Sequence, residues 1–136
     1  LFDGGSVMTT RVTYYPSTND GCGSSRQGEM TASYNDLVEM FGQPEEYISG
    51  DGKCTFQFVI EYEIEDEFGV ESSYFTLYDW KGNRPHHDSD EFLVHIGGKK
   101  FEDQWAAKRA LELFKKTDVR YGHDHKVLCQ GYSHAY

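Results

Sequence analysis

The chain has 136 residues, of which 38% are hydrophobic and 15% aromatic, and this is enough for one domain with its own core. It carries 23 Asp and Glu against 13 Lys and Arg, so its formal net charge at pH 7 is −10. A charge of this sign repels phosphates and anionic lipids, which argues against direct binding of nucleic acid or of a membrane surface. No stretch approaches the ~18 consecutive apolar residues that a membrane-spanning helix needs.

The ends of the chain and its cysteines give two further expectations. We expect residues 1–7 (L-F-D-G-G-S-V) to be a vector or linker remnant, and residues 8–136 to form a single α+β domain. The three cysteines are odd in number and form no C-x-x-C pair. This pattern favours reduced thiols and an intracellular location over a disulfide framework.

The first third of the chain predicts a strand, a loop and a short helix. Met8–Tyr15 is rich in β-branched and aromatic residues, whereas residues 16–28 are dense in Pro, Gly, Ser and Asn and predict a flexible loop. Ser33 is a suitable N-cap, and Gly42 with Pro44 ends the helix. Apolar side chains between them have helical spacing: Tyr34, Leu37, Val38 and Phe41.

The middle of the chain predicts an antiparallel hairpin and a third strand. Thr55–Glu65 alternates apolar and polar residues, which is typical of a strand with one face on the core and one in water. Asp66–Gly69 suits a turn, and Val70–Trp80 returns as the partner strand. Phe92–Ile96 predicts a shorter third strand.

The last part predicts a second helix and a tail. The helix covers about residues 101–116, with an apolar stripe of Phe101, Trp105, Ala107, Leu111 and Phe114. Residues 117–136 predict a C-terminal tail, with one more strand open around residues 126–130. The consecutive hairpins indicate an α+β fold, in which an antiparallel sheet of three to five strands carries two helices on one face.

Acidic residues are concentrated in the central part of the chain. Sixteen of the 23 carboxylates lie between Glu29 and Glu91, where only three cations occur, and these numbers give that stretch a charge of −13. The densest group is Glu61, Glu63, Glu65, Asp66, Glu67 and Glu71. Three of them alternate along one predicted strand at about 6.6–6.8 Å, a spacing comparable to that of successive phosphates. This group is therefore the candidate binding surface for a basic partner; the alternative is an ordinary solvated sheet face.

The sequence patterns that could indicate a metal site or a catalytic site are weaker than the acidic group. His86, His87, Asp88 and Asp90 form one histidine-containing group, and His123, His125, Cys129 and His134 form another. Neither has the ligand spacing of common zinc sites. No nucleophile motif is present, and no pocket for a general acid is indicated. We therefore predict no metal, no cofactor and no catalytic residue.

Three motifs carry a resemblance to known proteins. They are D-L-V-x-x-F-G-x-P within Tyr34–Pro44, Y-D-W-K at the end of Phe75–Lys81, and H-I-G-G within Val94–Gly98. In these motifs the chain resembles a group of small phage-encoded acidic α+β proteins, over about residues 31–113. The resemblance implies a viral origin, action in the host cytoplasm and inhibition of a host defence protein. It also implies an alternative role in sequestering a nucleotide, for which Lys81, His95, Lys99 and Lys100 would line the site.

Together these observations predict a non-catalytic inhibitor. Its acidic strand face would block a basic, nucleic-acid-binding surface of a host defence protein, without binding nucleic acid or membrane itself. Two alternatives remain open, a nucleotide-sequestering protein and a small metal-dependent enzyme.

Overall fold

A computed structural model of the chain describes residues 11–17, 24–46, 54–121 and 133–135. Within these ranges the chain forms seven strands and two helices. In chain order they are β1 (Arg11–Pro16), β2 (Ser25–Ser33), α1 (Tyr34–Phe41), β3 (Glu45–Glu46), β4 (Phe56–Asp66), β5 (Gly69–Tyr78), β6 (Glu91–Gly98), α2 (Glu102–Tyr121) and β7 (Ser133–Ala135).

All strands belong to one antiparallel sheet. Its order is β2-β6-β5-β4-β1-β7, and β3 pairs with β4 beyond the end of β1. Five of the strands have six residues or more, while β3 and β7 have two and three. The predicted α+β fold with an antiparallel sheet is confirmed, and the two short strands extend it at its margins.

Both helices pack on the same face of the sheet. The even-numbered residues Phe56, Phe58, Ile60 and Tyr62 of β4 point into the core and are buried. In α1, the Phe41 ring meets those of Phe58 and Phe75 at centroid distances of 6.2 and 5.9 Å in inclined, near edge-to-face contacts. Helix α2 lies over β2, β5 and β6. The odd-numbered residues of β4 therefore lie on the face without helices.

Local capping explains why α1 begins and ends as predicted. The Ser33 hydroxyl accepts a 3.1 Å hydrogen bond from the Asp36 amide, which satisfies one of the first amides of the helix. At the other end Gly42 has φ 85° and donates to the Val38 carbonyl at 2.7 Å. A positive φ at this position favours glycine, because other residues rarely adopt it. Ser33 and Gly42 therefore set the two ends of the helix.

Asp79, in the Y-D-W-K motif, is a structural residue. Its carboxylate is fully buried and accepts hydrogen bonds from the Thr55 amide and hydroxyl, both at 2.7 Å, and from the Phe56 amide at 3.3 Å. It therefore fixes the start of β4 to the end of β5, which a buried carboxylate can do only when its oxygens are satisfied.

Strand β2 was not predicted, because residues 16–28 were assigned to a flexible loop. The strand begins at Ser25 and pairs with β6 from Gly98 to Glu91, with an irregularity between Arg26 and Gly28. A side chain on Gly28 would meet the end of the Gln104 side chain of α2, which would have to shift. Residues 18–23 of that loop, residues 1–7 and the strand considered at 126–130 lie outside the described residues.

The apolar stripe predicted for α2 is wrong in part. Ala107 and Phe114 are buried and Leu111 is partly buried, but Phe101 and Trp105 are 66% and 57% exposed. The buried face consists mainly of short or polar side chains: Asp103, Gln104, Ala106, Ala107, Ala110 and Phe114. Small residues allow the helix to approach the sheet closely, so the large side chains are left outside. None of the described helices is long and apolar enough to cross a membrane.

Candidate partner-binding surface

The alternation of β4 places Glu61, Glu63 and Glu65 on the face of the sheet that lies opposite the helices, and all three are exposed. We call these three residues the acidic row. Alternate residues of a strand lie about 6.8 Å apart, so the row presents regularly spaced carboxylates. The predicted orientation of these side chains is therefore the one the structure has.

The strands on either side leave the acidic row almost unneutralised. Thr13 and Ser72 lie in register with Glu63, and the Ser17 hydroxyl donates a 2.8 Å hydrogen bond to Glu61. Arg11 lies in register with Glu65. Within the described residues no Lys, Arg or His forms an ion pair with any carboxylate of the row. The negative potential of the row therefore reaches solvent at the end of the sheet.

The β4–β5 turn adds apolar side chains to this acidic end. We call Asp66–Val70 the hairpin tip. The Asp66 carboxylate accepts a 2.8 Å hydrogen bond from the Phe68 amide, and Gly69 has φ 142°. Phe68 and Val70 are 89% and 61% exposed, and they line a shallow depression of about 240 Å³. Exposed apolar groups among carboxylates are typical of surfaces that bind proteins.

Glu71 does not extend the acidic row. It is in register with Ile64, so its side chain lies on the opposite face of the hairpin. There Lys100 Nζ lies 3.0 Å from Glu71 Oε2. Asp66 and Glu67, in contrast, are exposed at the hairpin tip beyond the end of the row. The acidic surface therefore consists of five of the six predicted carboxylates.

The four residues considered for a nucleotide site do not form one cluster. Lys81 Nζ lies 5.9 Å from the Trp80 ring centroid, and Lys99 Nζ lies 5.6 Å from the ring centroid of Tyr74, which precedes Trp80 by six residues. Lys100 is on the other face with Glu71. The positive charges are therefore divided between separate places.

His95 is enclosed by aromatic rings. It is buried, stacks on Trp80 at 5.8 Å between ring centroids, and meets the Tyr78 ring edge at 5.5 Å. Burial lowers the pKa of this imidazole, the charge of Arg26 lowers it further, and Glu29 opposes both effects. His95 is therefore mainly neutral at pH 7 and supplies little positive charge to an anion.

The backbone amides of Lys99 and Lys100 already have an anionic partner. Asp103, at the start of α2, accepts hydrogen bonds from the amides of Lys99 and Lys100 at 2.8 and 3.0 Å. Its other oxygen accepts a 2.6 Å hydrogen bond from the Tyr62 hydroxyl. A Cβ on Gly98 would lie 2.6 Å from Cβ of Asp103, so glycine permits this close approach. An internal carboxylate therefore already holds two amides that a nucleotide phosphate could otherwise bind at Lys99 and Lys100.

The first histidine group has no metal-binding arrangement. The His86 and His87 rings lie 5.4 Å apart on the surface, and Asp88 pairs with Arg84 at 3.2 Å. Among the described residues no three His, Cys, Asp or Glu side chains converge as a metal site. Residues 123, 125 and 129 of the second group lie outside those residues, and His134 is in β7.

Comparisons with known proteins do not extend these observations. No protein-family model, no curated protein and no solved structure matches the chain. The candidate surface therefore depends on its geometry and charge alone.

Proposed function

We propose that this protein is a non-catalytic inhibitor of viral origin, which binds a basic host protein in the host cytoplasm and blocks its nucleic-acid-binding surface. The observation that carries the proposal is the acidic row, whose three carboxylates are exposed, regularly spaced and free of ion pairs within the described residues. A groove that binds phosphates offers the complementary charge.

Charge and apolar contact have separate roles in this proposal. The acidic row steers the partner and orients it, because complementary charges act at long range and mainly raise the association rate. The hairpin tip supplies Phe68 and Val70, whose burial against the partner stabilises the complex. Bound in this way, the hairpin excludes nucleic acid from the same surface by both volume and charge.

The nucleotide alternative has less support. Asp103 holds the amides that would contact a phosphate, and Lys100 lies on the face opposite His95. An enzyme would need a pocket that holds a group able to transfer protons, whereas the three carboxylates of the acidic row are exposed on a sheet face. These alternatives remain testable by calorimetry with cyclic and linear nucleotides and by metal analysis of the purified protein.

The test of the surface is a double charge reversal. The Glu63→Lys/Glu65→Lys variant should recover no nucleic-acid-binding protein from a bacterial lysate from which the wild type recovers one. A matched control is Asp90→Lys/Glu102→Lys, which makes the same change in net charge at two other exposed positions. If both variants recover the same proteins as the wild type, the acidic row is not the binding surface.

A further inference from the structure

The acidic row is a single file of carboxylates. Each of its residues has one neighbour in register on β1 and one on β5, and none of these six neighbours is Asp or Glu: Tyr15, Thr13 and Arg11 on β1, and Tyr74, Ser72 and Val70 on β5. Lys99 reaches the Tyr74 ring, but within the described residues neither Lys99 nor Arg11 forms an ion pair with the row. A duplex presents two lines of phosphates across grooves about 6 or 12 Å wide, whereas one line of charges corresponds to one strand.

The length of the row matches a short piece of one nucleic-acid strand. Glu61 and Glu65 lie four positions apart on β4, which is about 14 Å along an antiparallel strand. The spacing of the three carboxylates is comparable to that of successive phosphates, so the row can take the place of three phosphates in sequence. At its end the row continues into the hairpin tip, where Asp66 and Glu67 are also exposed.

Phe68 extends from the hairpin tip and lies outside the hydrophobic core. Its side chain is 89% exposed, the largest exposed fraction among the large apolar side chains that the structure describes. The turn uses only its backbone amide, which donates to the Asp66 carboxylate. Phe68 and Val70 together place apolar surface in a turn, where polar residues are usual, and exposed aromatic groups are typical of residues that contact another molecule.

An aromatic ring beside a line of phosphate-like charges matches one kind of nucleic-acid site. Proteins that bind single strands combine a cationic groove for the backbone with aromatic side chains on which the bases stack. Surfaces that hold an intact duplex through its backbone contact phosphates and sugars mainly with cationic and polar groups, and the bases stay stacked on one another. A phenyl ring can stack on an aromatic side chain as a base does.

We propose that the surface blocked by this protein is a groove for single-stranded nucleic acid, in which the acidic row takes the place of consecutive phosphates and Phe68 that of a stacked base. This inference rests on the proposed function and names the class of the partner. Phe68 follows Glu65 by three residues, so both parts lie at one end of the same hairpin. Charge complementarity selects a cationic groove, and the exposed ring selects a groove that accepts unstacked bases.

The first experiment tests which nucleic acid competes for the partner. A nuclease-treated bacterial lysate is passed over immobilised wild-type protein, and a second column carries Glu63→Lys/Glu65→Lys. The retained protein is eluted with oligo(dT) of about 30 nucleotides, with an abasic strand of the same length, or with a duplex of the same length, at equal phosphate concentrations. We expect oligo(dT) to release it at a concentration at least ~10-fold lower than either of the others, because only oligo(dT) offers both phosphates and unstacked bases.

The second experiment tests whether Phe68 acts as a stacked ring or as a simple apolar group. The released protein is saturated with fluorescent oligo(dT), and variants at position 68 compete for it. Phe68→Trp keeps a flat ring, whereas Phe68→Leu keeps an apolar side chain without one. We expect Phe68→Trp to match the wild type within about twofold, and Phe68→Leu to require at least ~10-fold more protein, as Phe68→Ser does. Thermal unfolding of each variant is the control for folding.

The outcomes distinguish the inference from the proposed function. Release by the abasic strand or by the duplex as readily as by oligo(dT) overturns the inference and leaves the proposed function intact. Competition by Phe68→Leu at the wild-type concentration also overturns it, because apolar contact without stacking is then sufficient. No release by any competitor, or a wild-type column that retains nothing beyond the proteins on the variant column, contradicts the proposed function as well.

Discussion

The Tyr62 hydroxyl donates a 2.6 Å hydrogen bond to Asp103, and this contact joins the centre of the sheet to the start of α2. Tyr62 is the neighbour of Glu61 and Glu63 on β4, but it points to the opposite face. Burial raises the pKa of this phenol, and the hydrogen bond and charge of Asp103 raise it further, so the hydroxyl remains a donor. The same carboxylate also accepts hydrogen bonds from the amides of Lys99 and Lys100 at the end of β6.

Removing this carboxylate should destabilise the protein. Asp103→Ala leaves two amides and the Tyr62 hydroxyl without their acceptor, and we expect a loss of about 2–4 kcal/mol in the free energy of unfolding. Tyr62→Phe should cost less, about 1–2 kcal/mol, because one donor is lost with its partner still bonded to two amides. Urea denaturation measures both. Tyr15→Phe is the control on the opposite face, and an equal loss there would contradict a specific role for the Tyr62–Asp103 contact.

Acidification should destabilise the protein through His95. Because burial lowers the pKa of His95 below its ordinary value of 6.5, the unfolded chain binds this proton more readily than the folded protein does. The contribution of neutral His95 to the free energy of unfolding is therefore present above pH 6.5, and it is lost as the pH falls through the pKa that His95 has in the folded protein. We expect wild-type stability to decrease more than that of His95→Gln between about pH 7.5 and about pH 5.5, a range in which ordinary carboxylates stay ionised. Parallel curves for the two proteins would contradict this account.

The packing of α2 predicts opposite effects on stability when Phe114 and Trp105 are replaced. Phe114 is 3% exposed and Trp105 is 57% exposed. Phe114→Ala should cost about 3–5 kcal/mol, because it opens a cavity in the core, whereas Trp105→Ala should cost less than about 1 kcal/mol. Thermal and urea unfolding of both variants test this. A larger loss of stability for Trp105→Ala than for Phe114→Ala would mean that Trp105 lies on the buried face of α2, as the sequence pattern predicts.

The elements that the sequence predicted well are those with local causes. Helix α1 follows from its cap at Ser33 and its stop at Gly42, which act on adjacent residues. Strand β4 follows from the alternation of apolar and polar residues between Thr55 and Glu65, which only Val59 interrupts. The acidic row follows from the same alternation, so its orientation was predictable before any tertiary contact was known.

The elements that the sequence missed depend on distant contacts. Strand β2 contains Ser, Gly and Gln, which favour no strand by themselves, and it forms because β6 pairs with it. The buried face of α2 depends on how closely Ala106 and Ala110 approach the sheet. The position of Glu71 depends on the register of the hairpin, which pairs it with Ile64. The exposed apolar tip at Phe68 was signalled only by an aromatic residue within an acidic turn.

Variants at the hairpin tip test whether charge controls association and apolar contact controls dissociation. Phe68→Ser should leave the association rate of the complex within about twofold and raise its dissociation rate at least ~10-fold, because apolar contact acts after encounter. Surface plasmon resonance with a partner recovered by the wild type measures both rates. Glu67→Gln is the control at the neighbouring turn position, with an expected effect mainly on association. A dissociation rate unaffected by Phe68→Ser would show that the tip lies outside the interface.

The most direct test of the account is competition between this protein and nucleic acid for one partner. A recovered basic partner is saturated with fluorescent DNA, and the wild-type protein is added while anisotropy is followed. We expect complete release of DNA at about one equivalent, and no release by Glu63→Lys/Glu65→Lys. A stable ternary complex, in which the partner holds DNA and this protein together, would contradict it.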